Sequence, residues 1–135
     1  MKNIFEFVKE RIFSFGHAFR GWGYVIRNEK NAWVHAVVTI FVVILALLLN
    51  IPLRDWSVLV VTISMVWAAE FFNTAIEAVV DLASPVHHPL AKVGKDVGAA
   101  AVLIAACAAV LVGMIILGPP LWAIIAPFLL SFRLH

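Results

Sequence analysis

The stretch NAWVHAVVTIFVVILALLLNIPL, residues 31–53, runs for 23 positions without an Asp, Glu, Lys or Arg. About 20 predominantly apolar residues in a helix cross a bilayer core of about 30 Å, so this segment reads as a membrane span. The rest of the chain agrees. Of 135 residues 64% are hydrophobic, 10 are Lys or Arg, 8 are Asp or Glu, and the mean hydropathy is +1.02. A soluble domain carries about 45–50% apolar and about 25% charged residues, and a disordered chain carries still more charge. Both classes are excluded, which leaves an integral membrane protein of one small domain. The single cysteine, Cys107, excludes an internal disulfide and is expected to be a packing residue in an apolar run. The net charge of +2 reports orientation in a membrane protein more readily than nucleic-acid binding, and no nucleic-acid partner is expected.

Outward from the first span, Phe5, Val8, Ile12, Phe15, Phe19, Trp22 and Ile26 recur at spacings of 3 and 4, with Lys2, Lys9, Arg11, Arg20 and Arg27 off that stripe. A basic, aromatic amphipathic helix suits the plane of a membrane surface; packing of the stripe against the chain's own bundle is the alternative. No small-residue cleavage site follows a short apolar core, so a cleavable signal is not expected. Asn50, Pro52, Arg54 and Asp55 mark a short turn. A second apolar stretch runs over 56–80, a polar loop over 81–96 and a third span over 97–118, which Pro119-Pro120 are expected to end. The remaining apolar run is too short for a fourth span. We therefore expect one all-α membrane domain over 1–135: an amphipathic surface helix over 1–28, transmembrane helices over 31–53, 56–80 and 97–118, and a C-terminal tail over 119–135. Six Lys/Arg precede the first span, and Lys92 and Lys95 lie between the second and third. The positive-inside rule makes these segments and the N-terminus cytoplasmic.

The second span carries groups a membrane helix rarely tolerates. Glu70, Asn73, Glu77 and Asp81 fall within about 80° of one another at 100° per residue. An ionisable group in a span is expensive, and is a functional candidate by default. Hydrogen bonding to neighbouring helices would account for Asn73, but acids on one stripe need a cation or a shared proton. Counted from Trp56, Glu70 lies about 21 Å along the helix and Glu77 about 31 Å. This places Glu70 in the cytoplasmic third of the bilayer and Glu77 at the inner interface. Glu29, Asp81, Lys92, Lys95 and Asp96 are expected at that level too. Carboxylates at an aqueous edge suit Mg²⁺ arriving with phosphates, lysine suits phosphate, and a deeper, drier carboxylate suits a base toward a hydroxyl. The combination describes phosphoryl transfer from a nucleotide to a lipid hydroxyl. No Walker A or kinase glycine-rich loop occurs; Gly16, Gly21 and Gly23 near Arg20 are a faint suggestion of a phosphate cradle. Two other readings remain: a small proton-coupled transporter using Glu70, and a non-catalytic membrane scaffold.

The run Glu70-Phe-Phe-Asn73-Thr-Ala-Ile-Glu77-Ala-Val-Val-Asp81, with Lys95-Asp96-Val-Gly98 after it and Asn28-Glu29 before the first span, resembles the prokaryotic diacylglycerol kinase/undecaprenol kinase family. The resemblance covers about residues 10–118. It implies a homotrimer of three-span subunits that uses ATP and Mg²⁺ on a lipid alcohol in the bacterial inner membrane. It implies Glu70 as general base, Asn73 and Asp81 as positioning groups, and Glu29 and Glu77 as metal-binding carboxylates. His17, Glu29, Glu77, His88, Lys95 and Asp96 are the implied ATP-binding positions. The family commonly carries Tyr where this chain has His17. Ala18 stands where some diacylglycerol kinases have Ser, and His35 where they have an acid. With Phe13-Ser14-Phe15, these departures resemble the undecaprenol kinase branch, so undecaprenol is favoured over diacylglycerol. Gly94-x-x-x-Gly98 and the alanines after it form a small-residue surface, suited equally to contacts between subunits and to packing within one.

Overall fold

The computed structural model describes residues 3–132. They form four α-helices: α1 (Ile4–Asn28), α2 (Lys30–Leu48), α3 (Leu53–Ala83) and α4 (Pro89–Phe132). Among the described residues there is no strand. The chain divides into two compact units, Met1–Val34 and His35–His135.

In the first unit α1 carries the predicted stripe. Phe5, Ile12, Phe15 and Phe19 are exposed, as a helix bound to a lipid surface requires. Gly16, Gly21 and Gly23 are ordinary helical residues, and no described glycine has a positive φ. They form no phosphate-cradling loop, because the helical pattern around them is uninterrupted. Glu29 closes α1: its φ of −99° and ψ of 117° are extended, and its N–H donates to Val25 O at 2.9 Å.

α2, which lies in the second unit from His35 on, and α3 and α4 are each long and apolar enough to cross a membrane. The apolar run 31–53 is not one helix. α2 ends at Leu48, and the next four residues build a C-terminal cap. Asn50 sits at φ 49°, in the left-handed region that Gly and Asn enter most readily. Its N–H reaches Leu47 O at 3.2 Å and the Ile51 N–H reaches Ala46 O at 3.4 Å, the two bonds of a Schellman motif. The apolar contact that accompanies this motif is present too. Ile51 and Ala46 are buried with Leu59 and Leu117 in the core at this end of the unit. Pro52 then precedes α3 with an extended backbone, in keeping with its missing N–H.

The far end of α3 was expected to give way to a loop at Asp81. Instead α3 continues to Ala83 and α4 begins at Pro89, so the polar residues 81–96 lie mostly on helix. Lys92 and Lys95 are good helix formers, Asp81 is paired with Lys95 across the hairpin, and only Ser84–His88 breaks the pattern. Proline at the first position of α4 replaces an N–H that would be unbonded anyway. His88 caps that start, its Nδ1 accepting the Leu90 N–H at 3.2 Å.

The expected stop at Pro119-Pro120 is also overturned. α4 passes through Pro119, Pro120 and Pro127. Membrane helices tolerate proline because neighbouring groups and local adjustment re-satisfy the freed carbonyls. Of the tail, Arg133 lies outside the described residues. Cys107, expected to be packed, is exposed on α4, because the helical turn carries it to the outer face.

The α3–α4 pair is an antiparallel hairpin. Asp81 pairs with Lys95, a Cβ on Gly94 would meet Val80, and Gly98 lies against Asn73. Apolar association gains little when lipid surrounds the helices, so close approach at small residues supplies the attraction. For Gly94 and Gly98 the small-residue surface therefore serves contact within one chain.

The Schellman cap predicts an asymmetric response at Asn50. Asn50→Gly keeps the unfolding midpoint in detergent within a degree or two of the parent. Asn50→Val lowers stability by about 1–2 kcal/mol, the cost of a β-branched residue in the left-handed region.

Candidate active site

The helical period of α3 brings Glu70, Asn73, Glu77 and Asp81 to one side, as the spacing predicted, and Thr74, which the sequence did not single out, joins them. Three of them are buried: Glu70 is 1% exposed and Asn73 and Thr74 are 6% each. Glu70 is the largest fully buried side chain described. A carboxylate removed from water is costly without compensating polar groups, and a polar neighbour stands on α2: His35 Nε2 lies 3.8 Å from Glu70 Oε2. The Thr74 hydroxyl donates to Glu70 O at 3.0 Å, a back-bond that keeps its polar atom within the helix.

One turn further, the Asn73 amide donates from Nδ2 to Glu77 Oε1 at 3.1 Å. Its Oδ1 is buried and has no hydrogen-bond partner among the described residues. Gly98 of α4 lies so close to this oxygen that a Cβ there would collide with it. The Asn73–Glu77 pair is thus held against bare backbone.

At the polar end of α3, Lys95 Nζ lies 2.6 Å from Asp81 Oδ1. Around this ion pair the end of α3, the Ser84–His88 turn and the first turns of α4 enclose a cleft of about 460 Å³. Asp81, His87, His88, Lys92, Lys95 and Asp96 line it. Its volume lies within the usual range for small-molecule sites, and two lysines give it cationic groups suited to phosphate.

Glu29 and His17 belong to the first unit. Glu29 is half-buried at the end of α1, and the His17 ring lies 2.8 Å from Arg20 Nη2 through Nδ1. Among the described residues no three His, Cys, Asp or Glu side chains converge as a metal cage. Mg²⁺ does not demand one; it is commonly held by one or two carboxylates together with substrate phosphates. The half-buried Glu77 offers hard oxygens of that kind, so the residues present fit such an ion.

Three further contributors were not singled out as site residues in the sequence. His35 looked only like a departure from a family pattern, although an ionisable residue in an uncharged span is itself a signal. Trp67, whose indole N–H donates to Thr39 Oγ1 at 3.3 Å, was hidden among apolar neighbours. Gly98 was read as part of a small-residue surface, and nothing local showed that it faces Asn73.

Comparison with known proteins bears on this arrangement. The family described as prokaryotic diacylglycerol kinase matches residues 16–117. A diacylglycerol kinase of Synechocystis sp. is 39% identical over 121 residues, covering 89% of this chain and 69% of that protein. An undecaprenol kinase of Bacillus subtilis is 38% identical over 108 residues, covering 80% and 88%. A diacylglycerol kinase of Escherichia coli K12 is 33% identical over 102 residues, covering 70% and 84%.

The two glycines facing α3 are predicted to respond oppositely to alanine. At Gly94 a Cβ would meet Val80 Cγ2 at 3.5 Å, ordinary contact, so Gly94→Ala holds or raises the unfolding midpoint, helped by alanine's higher helix propensity. Gly98→Ala must push the Asn73 amide aside and costs about 1–3 kcal/mol, as overpacking does. Thermal unfolding of the two variants in one detergent separates them.

Proposed function

This chain belongs to the prokaryotic diacylglycerol kinase family and is a membrane lipid kinase, and from that premise we propose that it moves the γ-phosphate of ATP onto the hydroxyl of undecaprenol in preference to diacylglycerol. The observation that carries the reading is the buried Glu70 at the head of the Asn73–Glu77–Asp81 stripe. The family lends no support to the proton-coupled transporter.

Glu70 is the base. Lying in a dry setting and away from the polar end of α3, its carboxylate takes the proton of the lipid hydroxyl as that oxygen attacks the γ-phosphorus. The bond from the γ-phosphorus to the β–γ bridging oxygen breaks, ADP leaves with the bridging oxygen, and the phosphoryl group ends on the lipid oxygen. Asn73 orients Glu77 through its 3.1 Å hydrogen bond. Glu29 and Glu77 would hold Mg²⁺, which when bound neutralises phosphate charge. Lys95 is poised beside the cleft, shared between Asp81 and the nucleotide phosphates. His17, His88 and Asp96 complete the nucleotide contacts, and Asp81 positions Lys95.

The exposed apolar faces of α2, α3 and α4 and the open polar end favour a homotrimer in which neighbouring subunits complete the site. The charge asymmetry favours a cytoplasmic N-terminus in the bacterial inner membrane, with 1–135 as one membrane domain in which α1 lies along the surface and α2, α3 and α4 cross the bilayer. The undecaprenol preference is supported by His35 and Ala18; the similar proteins include kinases named for each lipid.

The test is transfer from γ-labelled ATP by the purified protein with Mg²⁺, offering undecaprenol and diacylglycerol separately. Undecaprenol is expected to be the better acceptor; faster labelling of diacylglycerol would reverse that choice. Glu70→Gln is expected to lower turnover by about 10²–10⁴-fold, the usual contribution of a general base, with an unchanged unfolding midpoint. A Glu70→Gln protein at parental rate would remove Glu70 from its role.

A further inference from the structure

We propose that His35 is the positioning residue of Glu70: its Nε2–H donates to the carboxylate and holds it in the orientation in which it meets the lipid hydroxyl. The proposal rests on Glu70 being the base.

The geometry begins with reach. His35 Nε2 and Glu70 Oε2 are 3.8 Å apart, with the two side chains 15% and 1% exposed. That is longer than a formed hydrogen bond but within one small side-chain adjustment of it. Catalytic hydrogen bonds in substrate-free proteins are often long and tighten in the complex. An ionised carboxylate has only acceptors, so the nitrogen facing it must donate, and a neutral imidazole does so as the Nε2–H tautomer.

The ring is also held in place. Trp67 meets it edge-on, with centroids 6.4 Å apart and planes at 66°. Trp67 is itself anchored to Thr39 by its indole N–H at 3.3 Å. Thr39 is four residues beyond His35 on α2, and Glu70 three beyond Trp67 on α3, so each pair shares one helix face. Two residues from each helix therefore interlock, and the lock fixes the imidazole where it faces the carboxylate. A histidine serving only as core filling would not need its nitrogen aimed at the most deeply buried acid among the described residues.

Five proteins test this: the parent, His35→Leu, His35→Gln, Glu70→Gln, and the double variant of His35→Leu with Glu70→Gln. His35→Leu keeps apolar bulk against Trp67 but has no donor; His35→Gln keeps an N–H at similar reach. Loss of a charge-assisted bond predicts kcat lower by about 10- to 100-fold in His35→Leu, with KM for ATP within about twofold. His35→Gln recovers most of that loss, and His35→Leu adds nothing further on the Glu70→Gln background. Parental kcat in His35→Leu, equal losses in the Leu and Gln variants, or a loss confined to KM would each overturn the proposal. If His35→Leu is fully active while Glu70→Gln is dead, only the role of His35 falls. If Glu70→Gln is active, the base assignment falls and His35 falls with it.

Discussion

A carboxylic acid buried inside an apolar helix is the constraint on which the rest of the structure turns. Glu70 is 1% exposed in a helix whose surroundings offer no bulk water to solvate it. Removing a charged group from water costs far more than one ordinary hydrogen bond returns. Such a group persists only where the fold supplies polar company. His35 provides it from α2, and Asn73 and Glu77 extend the polar stripe toward the end of the helix. The apolar contacts that hold the unit together collect at the opposite end, around Ala46, Ile51, Leu59 and Leu117. Packing and chemistry are thereby separated along the length of the same helices.

This separation explains the role of close approach between α3 and α4. A polar face cannot be secured by apolar packing, and in a bilayer the apolar faces gain little from meeting each other. The hairpin is instead drawn together where α4 has no side chain, at Gly98 against Asn73, and clamped at its mouth by Lys95 and Asp81. In the proposed orientation the mouth faces the cytoplasm, where a nucleotide arrives, and Glu70 lies deeper along α3.

The polar stripe was legible in the sequence because contrast made it so. Four polar residues at helical spacing in an apolar run have few meanings, and their shared face follows from the period alone. The three long apolar helices and the amphipathic helix before them were legible for the same reason. What escaped depends on which surface meets which. The partnership of His35 with Glu70 joins residues 35 apart in sequence, and Gly98 acquires its importance only from the identity of Asn73 opposite. The cap at Asn50 interrupts an uncharged run that by composition alone continues to Leu53. The passage of α4 through Pro119 and Pro120 reverses a rule that holds in water, where lost helical bonds are easily replaced by solvent, and relaxes within a membrane.

The central claim is that the stripe of α3 spans the distance between the nucleotide phosphates and the acceptor hydroxyl. Paramagnetic relaxation by Mn²⁺ bound with a non-hydrolysable ATP analogue measures this directly, read on ¹³C-labelled carboxylates of the protein in bilayer discs. Glu77 should be relaxed most and Glu70, about 10 Å along the helix, clearly but less. Asp55, about 33 Å from Glu77 on the same helix, should be untouched. Relaxation of Glu70 and Glu77 no greater than that of Asp55 would contradict the account.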